Sequence, residues 1–233
     1  MTTTALPADE PTMSSAIGQR RARSWRRSHA AAGFLFVGIE IACIAIQGGA
    51  TPSRQASGTS IAAFFRDHAR SVEVSEVLAA FGLAALLWWF GGLWELLTSA
   101  RPPMPGLTAV AAGGFAIGLV LGLVDISLFG TAGVAAHALA DDSLVLLYDA
   151  SAAAILLSGI GIAGFLTATC LISSWSGLFP SWTNYLGLAT AAALLIGAVG
   201  VGNAADTFLF GGYLGFVGWC VWTAAVSASM WRR

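Results

Sequence analysis

Residues 107–129 read LTAVAAGGFAIGLVLGLVDISLF, and across these positions the one charged side chain is Asp125. An α-helix rises ~1.5 Å per residue, so about 20 apolar residues cross a hydrocarbon layer of roughly 30 Å. Comparable runs recur on both sides of this one, at about 30–49, 73–97, 144–172, 183–201 and 207–229. Breakers separate them. Gly48, Gly49 and Pro52 end the first run, and Arg101-Pro102-Pro103 with Pro105-Gly106 divides the second from the third. Gly177 and Pro180 divide the fourth from the fifth, and Gly202-Asn203 divides the fifth from the sixth. The expected fold is all-α, a polytopic membrane helical bundle of about six transmembrane helices.

Composition agrees with that reading. Of 233 residues, 57% are hydrophobic and 10% charged, and mean hydropathy is +0.77. A soluble domain carries roughly 25% charged residues, so this chain has too few charges to coat a water-facing surface and lipid must cover it. Six spans of ~20 residues use more than half the length, which leaves one membrane domain and no room for a separate soluble catalytic domain.

Residues 1–28 hold the basic run Arg20, Arg21, Arg23, Arg26 and Arg27 without an apolar period, and read as a disordered basic cytoplasmic tail ahead of a six-helix domain over 29–233. The apolar run after them is long and contains Glu40, so it reads as a retained helix and not as a cleaved signal. All eleven basic residues are arginines. With the N-terminus inside, Arg20, Arg21, Arg23, Arg26, Arg27, Arg101, Arg232 and Arg233 face the cytoplasm, leaving Arg54, Arg66 and Arg70 outside. That imbalance assigns both termini to the cytoplasm of a cell with the protein in its plasma membrane. Trp25, Trp175, Trp182 and Trp231 fall near the same interface, where indole rings anchor a bundle in lipid; nothing here suggests a nucleic-acid partner. The outer connection at about 50–72 contains Ser60 as a helix cap, with Ile61, Phe64, Phe65 and Ala69 on one face of a short helix; a solvated linker is the other reading.

Acidic residues inside hydrocarbon are costly and turn toward the bundle interior, a partner or a water-filled cavity. Glu40, Asp125, Asp149 and Asp206 all fall in the outer half of their helices, and Glu73 and Glu76 open the second helix from the same side. At 1.5 Å per residue Glu40 is ~12 Å below its helix end, and Asp125 and Asp149 are ~7 to 9 Å below theirs. These six form a candidate outward-facing polar vestibule able to bind cations or protons, with the loop arginines as ion-pair partners. Separate pairing of each acid with a neighbour, only fixing helix packing, is the alternative. Glu95, near the opposite end, is within reach of Arg101 as an interfacial ion pair.

Small residues recur every fourth position at Gly114, Gly118 and Gly122 and again at Gly211 and Gly215. Such stripes let helices approach closely, within one chain or against a second copy or another membrane protein. Cys43, Cys170 and Cys220 form no CxxC and read as buried thiols, and His29, His68 and His137 lack metal-ligand spacing. No HExxH, GxSxG or P-loop pattern is present, no GxGxxG precedes an acidic ribose ligand, and Tyr148-Asp149 lacks the later GxGD that an intramembrane aspartyl protease needs. No catalytic residue, metal or cofactor is assigned.

Three further features cover about Ala30 to Val201: the segment Ala62-Ala63-Phe64-Phe65-Arg66-Asp67-His68, the core Leu87-Trp88-Trp89-Phe90, and the turn Gly177-Leu178-Phe179-Pro180-Ser181-Trp182 followed by Leu186-Gly187. With them the chain resembles an uncharacterised actinobacterial family of six-helix integral membrane proteins, a domain of unknown function. In that family the turn is similar to G-x-L-P-R-W, and here Ser181 stands in place of the basic residue. The resemblance implies six helices and no activity or catalytic residue. Function therefore stays between three expectations: a non-enzymatic assembly or accessory protein, a small ion- or proton-coupled transporter using the carboxylates, and a membrane-embedded lipid-modifying enzyme using Asp141, Asp142 and Asp149.

Overall fold

The computed structural model describes the backbone of residues 13–47, 51–202 and 206–233, and side chains at all of these except 13–23, 206, 207 and 209. Among the described residues the chain forms six α-helices and no strand: α1 (Met13–Gln47), α2 (Gly58–Ser99), α3 (Pro105–Val134), α4 (Asp141–Ser176), α5 (Ser181–Val199) and α6 (Asp206–Trp231). Each contains a stretch long and apolar enough to cross a membrane. This is a multi-pass membrane bundle. Its outward residues are apolar too, as at Leu35, Ile41, Phe81, Leu146 and Val217, which suits lipid as solvent. Hydroxyls within the spans bond back to their own helix, as Ser127 does to Leu123 O and Ser227 to Thr223 O. In hydrocarbon that meets those donors, whereas the buried Thr169 and Thr223 hydroxyls have no such partner among the described residues.

Neighbours in sequence are neighbours in space, and α6 closes the ring against α1. One end of the bundle carries the α1–α2, α3–α4 and α5–α6 connections. The opposite end carries the α2–α3 and α4–α5 connections, the C-terminus and the first described turns of α1. At that opposite end His29 Nδ1 lies 2.6 Å from Trp88 O, Arg27 sits 5.6 Å over the Trp231 ring, and Arg233 donates to Leu178 O. Gly177 ends α4 at φ 69°, a left-handed cap that glycine adopts without strain.

Two sequence expectations are corrected. Residues 13–28, expected as disordered tail, are helical from Met13 onward, because extending a helix already nucleated by an anchored apolar span is cheap for Arg, Ala and Gln. Residues 1–12 of that tail lie outside the described residues. The expected connection at 50–72 is likewise mostly helix. α2 starts at Gly58 and runs 42 residues without a break, capped by Ser57, whose hydroxyl accepts from Ser60 N at 3.2 Å.

The cause is burial. Ile61, Phe64 and Phe65 do share a face, as expected, and that face packs with Val72, Phe129, Ala132, Leu144 and Tyr148 into a small core at the loop-bearing end. At ~63 Å, α2 outreaches a hydrocarbon layer of about 30 Å, so this core caps the bundle. Arg66 ties the cap together, donating to Asp141 Oδ1 at 2.6 Å, Ala136 O at 3.3 Å and Leu139 O at 3.4 Å. Asp141→Asn is expected to cost under about 1 kcal/mol, since both partners are partly solvated. Arg66→Gln should cost about 1–2 kcal/mol because two carbonyl contacts go as well. Melting temperatures in one detergent test the order.

A second, larger core fills the opposite half of the bundle. Trp89, Phe165, Trp219 and Trp222 meet there with ring centroids 5.7–6.5 Å apart, mostly edge to face. The glycine stripes serve contacts inside the chain. A Cβ on Gly114 would lie 2.5 Å from Gly161 O, one on Gly118 2.4 Å from Ile162 Cδ1, and one on Gly215 2.6 Å from Leu194 Cδ2.

Candidate functional site

Between the two cores lies a cavity of about 850 Å³ bordered by residues of all six helices. Phe129 and Tyr148 belong both to its lining and to the cap core. Phe36, Leu86, Phe115, Ile162 and Trp219 belong both to its lining and to the larger core. The cavity therefore ends on an aromatic floor, with the bundle packed solid beyond it. Above it runs the α1–α2 connection, whose Thr51, Pro52, Ser53 and Arg54 also face the space.

Three acids reach this cavity from three helices: Glu40 of α1, Glu76 of α2 and Asp125 of α3. Close packing of α1 on α2 depends on Gly82, where a Cβ would come 3.1 Å from Ile39 Cγ2 and 3.4 Å from Glu40 Oε1. Glu76 accepts from Gln47 Nε2 at 3.3 Å, and the same amide donates to Ser75 Oγ at 3.1 Å. Asp125 accepts from the Ser151 hydroxyl of α4 at 2.5 Å. Glu40 accepts no hydrogen bond from any described residue, and it interacts electrostatically with both Asp125 and Glu76.

The cation in the lining is Arg54, and it is engaged elsewhere. Its Nη1 donates to Gly200 O at 3.0 Å and its Nε lies 3.9 Å from Asp149 Oδ1. Three carboxyl groups thus share a space with one arginine, which also stands beside Asp149, so their excess negative charge calls for protons or an entering cation. Among the described residues no three His, Cys, Asp or Glu side chains close on a point that would hold a metal ion. The acids face a common volume without converging on one site within it.

Of the six acids expected to share a vestibule, Glu40, Glu76 and Asp125 line the cavity. Glu73 points away and pairs with Arg70 at 2.8 Å. Asp149 stands beside Arg54 and does not line the space, and the Asp206 side chain lies outside the described residues. Glu95 is exposed, and no ion pair joins it to Arg101 among the described residues. Cys43, which donates to Ser75 O at 3.2 Å, lines the cavity, whereas Cys170 is buried in the larger core.

Sequence reasoning passed over the wall opposite the acids. Phe210, Tyr213, Phe216 and Trp219 of α6 all face the cavity. Their three-residue spacing was a weak signal, because four residues at that interval drift by about 180° around a helix. No family model matches the chain, and no curated protein or solved structure matches it.

Proposed function

We propose that this chain is a small ion- or proton-coupled transporter whose solute site is the cavity between the two cores. The observation that carries the reading is the meeting of Glu40, Glu76 and Asp125, from three separate helices, in one volume that Arg54 alone of the described arginines lines, with Asp149 beside it. Isolated structural acids would each be paired with a neighbour; Glu40 has no such donor among the described residues. The glycine stripes that motivated an assembly role are occupied by α3–α4 and α5–α6 packing. Of the acids that motivated a lipid-modifying enzyme, Asp141 is tied to Arg66 and Asp149 stands by Arg54.

For orientation we propose N- and C-termini in the cytoplasm of a cell whose plasma membrane holds the bundle, with the cavity toward the outside. Arg27 and Arg233 and the exposed indoles of Trp25, Trp175, Trp182 and Trp231 gather at the end that would be cytoplasmic. Arg54 and Arg66 at the other end are held by protein partners. The likeness to the actinobacterial six-helix family is compatible with this and adds no activity.

The test is proton release from acid-loaded proteoliposomes after external addition of sodium, potassium or benzyltrimethylammonium. At least one cation should drive proton efflux through the wild-type chain. Asp125→Asn, Glu40→Gln or Glu76→Gln should each cut that efflux about tenfold, the loss of roughly one charge-assisted interaction. No cation-driven efflux through well-folded wild-type protein would falsify the transport reading.

A further inference from the structure

Three features of the cavity limit what it can hold. Its wall from α1, α2 and α3 carries Glu40, Glu76 and Asp125, whereas its wall from α6 carries Phe210, Tyr213, Phe216 and Trp219. Several hydrogen-bond donors of the lining are committed: Ser151 to Asp125, Gln47 to Ser75 and Glu76, the Tyr148 hydroxyl to Pro52 O, and Arg54 Nη1 to Gly200 O. At about 850 Å³ the space is in the upper part of the range of roughly 300–1,000 Å³ that drug-sized ligands occupy.

Each ligand class meets a different fate in that setting. An anion would face three carboxyl groups. A sugar-like solute could donate its hydroxyls to the acids but, being neutral, would leave their charge unbalanced inside the bundle. A bare metal ion would find no set of three ligands closing around it among the described residues. A cation with a bulky apolar or aromatic body gains from both walls, since its charge is balanced by the acids while its body lies on aromatic faces that attract positive charge.

Resting on the transporter reading, we infer that the solute of this cavity is an organic cation with an aromatic or otherwise bulky apolar body, held between the acids of α1–α3 and the aromatic stripe of α6. The acids supply the charge requirement and the stripe supplies the preference for a large flat or apolar group. Phe216 and Trp219, which sit deeper than Phe210 and Tyr213, form the part of the stripe nearest the floor.

The experiment compares tetraphenylphosphonium with tetraphenylborate, ions of nearly the same shape and opposite charge, by equilibrium dialysis against the purified full chain in detergent. Saturable binding is expected for the cation, with only non-saturable micelle partition for the anion. Glu40→Gln combined with Asp125→Asn should weaken cation binding at least tenfold, and Phe216→Leu, which keeps apolar bulk without the ring, about two- to fivefold.

Saturable anion binding as tight as that of the cation would overturn the inference, as would cation binding unchanged in the double variant. The comparison of the two ions on wild-type protein decides the matter even where a variant fails to fold. Sodium- or potassium-driven proton flux without tetraphenylphosphonium binding sinks the solute class and spares the transporter. Saturable binding without flux of any cation does the reverse.

Discussion

Gly114→Val is expected to destabilise the bundle by about 3 kcal/mol or more, roughly a 150-fold loss in the folded-to-unfolded ratio. At this crossing a Cβ on Gly114 would lie 2.5 Å from Gly161 O and 2.7 Å from Phe165 N, which are backbone atoms that no rotamer change can move aside. A Cβ on Gly161 would in turn meet Gly114 O and Gly118 N, each at 2.7 Å. The two helices must separate to admit a side chain, and without a hydrophobic drive between helices in lipid, lost van der Waals contact is not recovered. Gly113→Val is the control. Nothing lies within 4 Å of a Cβ there, so it should melt close to wild type. Thermal melts of both variants in the same detergent decide the question, and equal melting temperatures would mean that this crossing does not hold the bundle.

The second large effect concerns access to the cavity. The α1–α2 connection is tied down by Tyr148, whose hydroxyl donates to Pro52 O, and by Arg54 through Gly200 O and Asp149. Two hydrogen bonds at about 1 kcal/mol each give about 2 kcal/mol, which corresponds to roughly a 30-fold rise in an open population. Cys43 provides the reporter, because it lines the cavity and is otherwise buried.

With Cys170 and Cys220 replaced by alanine, a membrane-impermeant cationic thiosulfonate should modify Cys43 about 30-fold faster in the Arg54→Gln, Tyr148→Phe variant than with the connection intact. In oriented membranes that acceleration should appear only with reagent outside. A rate unchanged by the two substitutions would show that these residues do not close the cavity, and acceleration only from the cytoplasmic side would invert the proposed topology.

How far the site could be read in advance depended on which physical quantity each residue reports. Glu40 and Asp125 stand out because a charge in an apolar run is a local anomaly visible without neighbours. Glu76 and Glu73 both open the second expected span, but their difference is one of direction. They are three residues apart on one helix, and only packing against α1 and α3 turns Glu76 inward while Glu73 takes Arg70. Asp149 fell the other way. Its neighbour Tyr148 lines the cavity, and a step of one residue turns a side chain by about 100°.

The cap was partly legible as well. Ile61, Phe64 and Phe65 showed their shared face, but the face could not show that it would pack on Phe129 and Tyr148 and so prolong α2.

The number and order of the membrane helices were determined by the sequence itself, because hydropathy and helical backbone hydrogen bonds both close within a single segment and a lipid solvent leaves the backbone no other way to be satisfied. The cavity was decided only by tertiary structure. Its acid wall and aromatic wall come from helices distant along the chain, and the rotation of each helix is set by where its glycines let a neighbour approach, a property of pairs of surfaces that no single stretch of sequence contains.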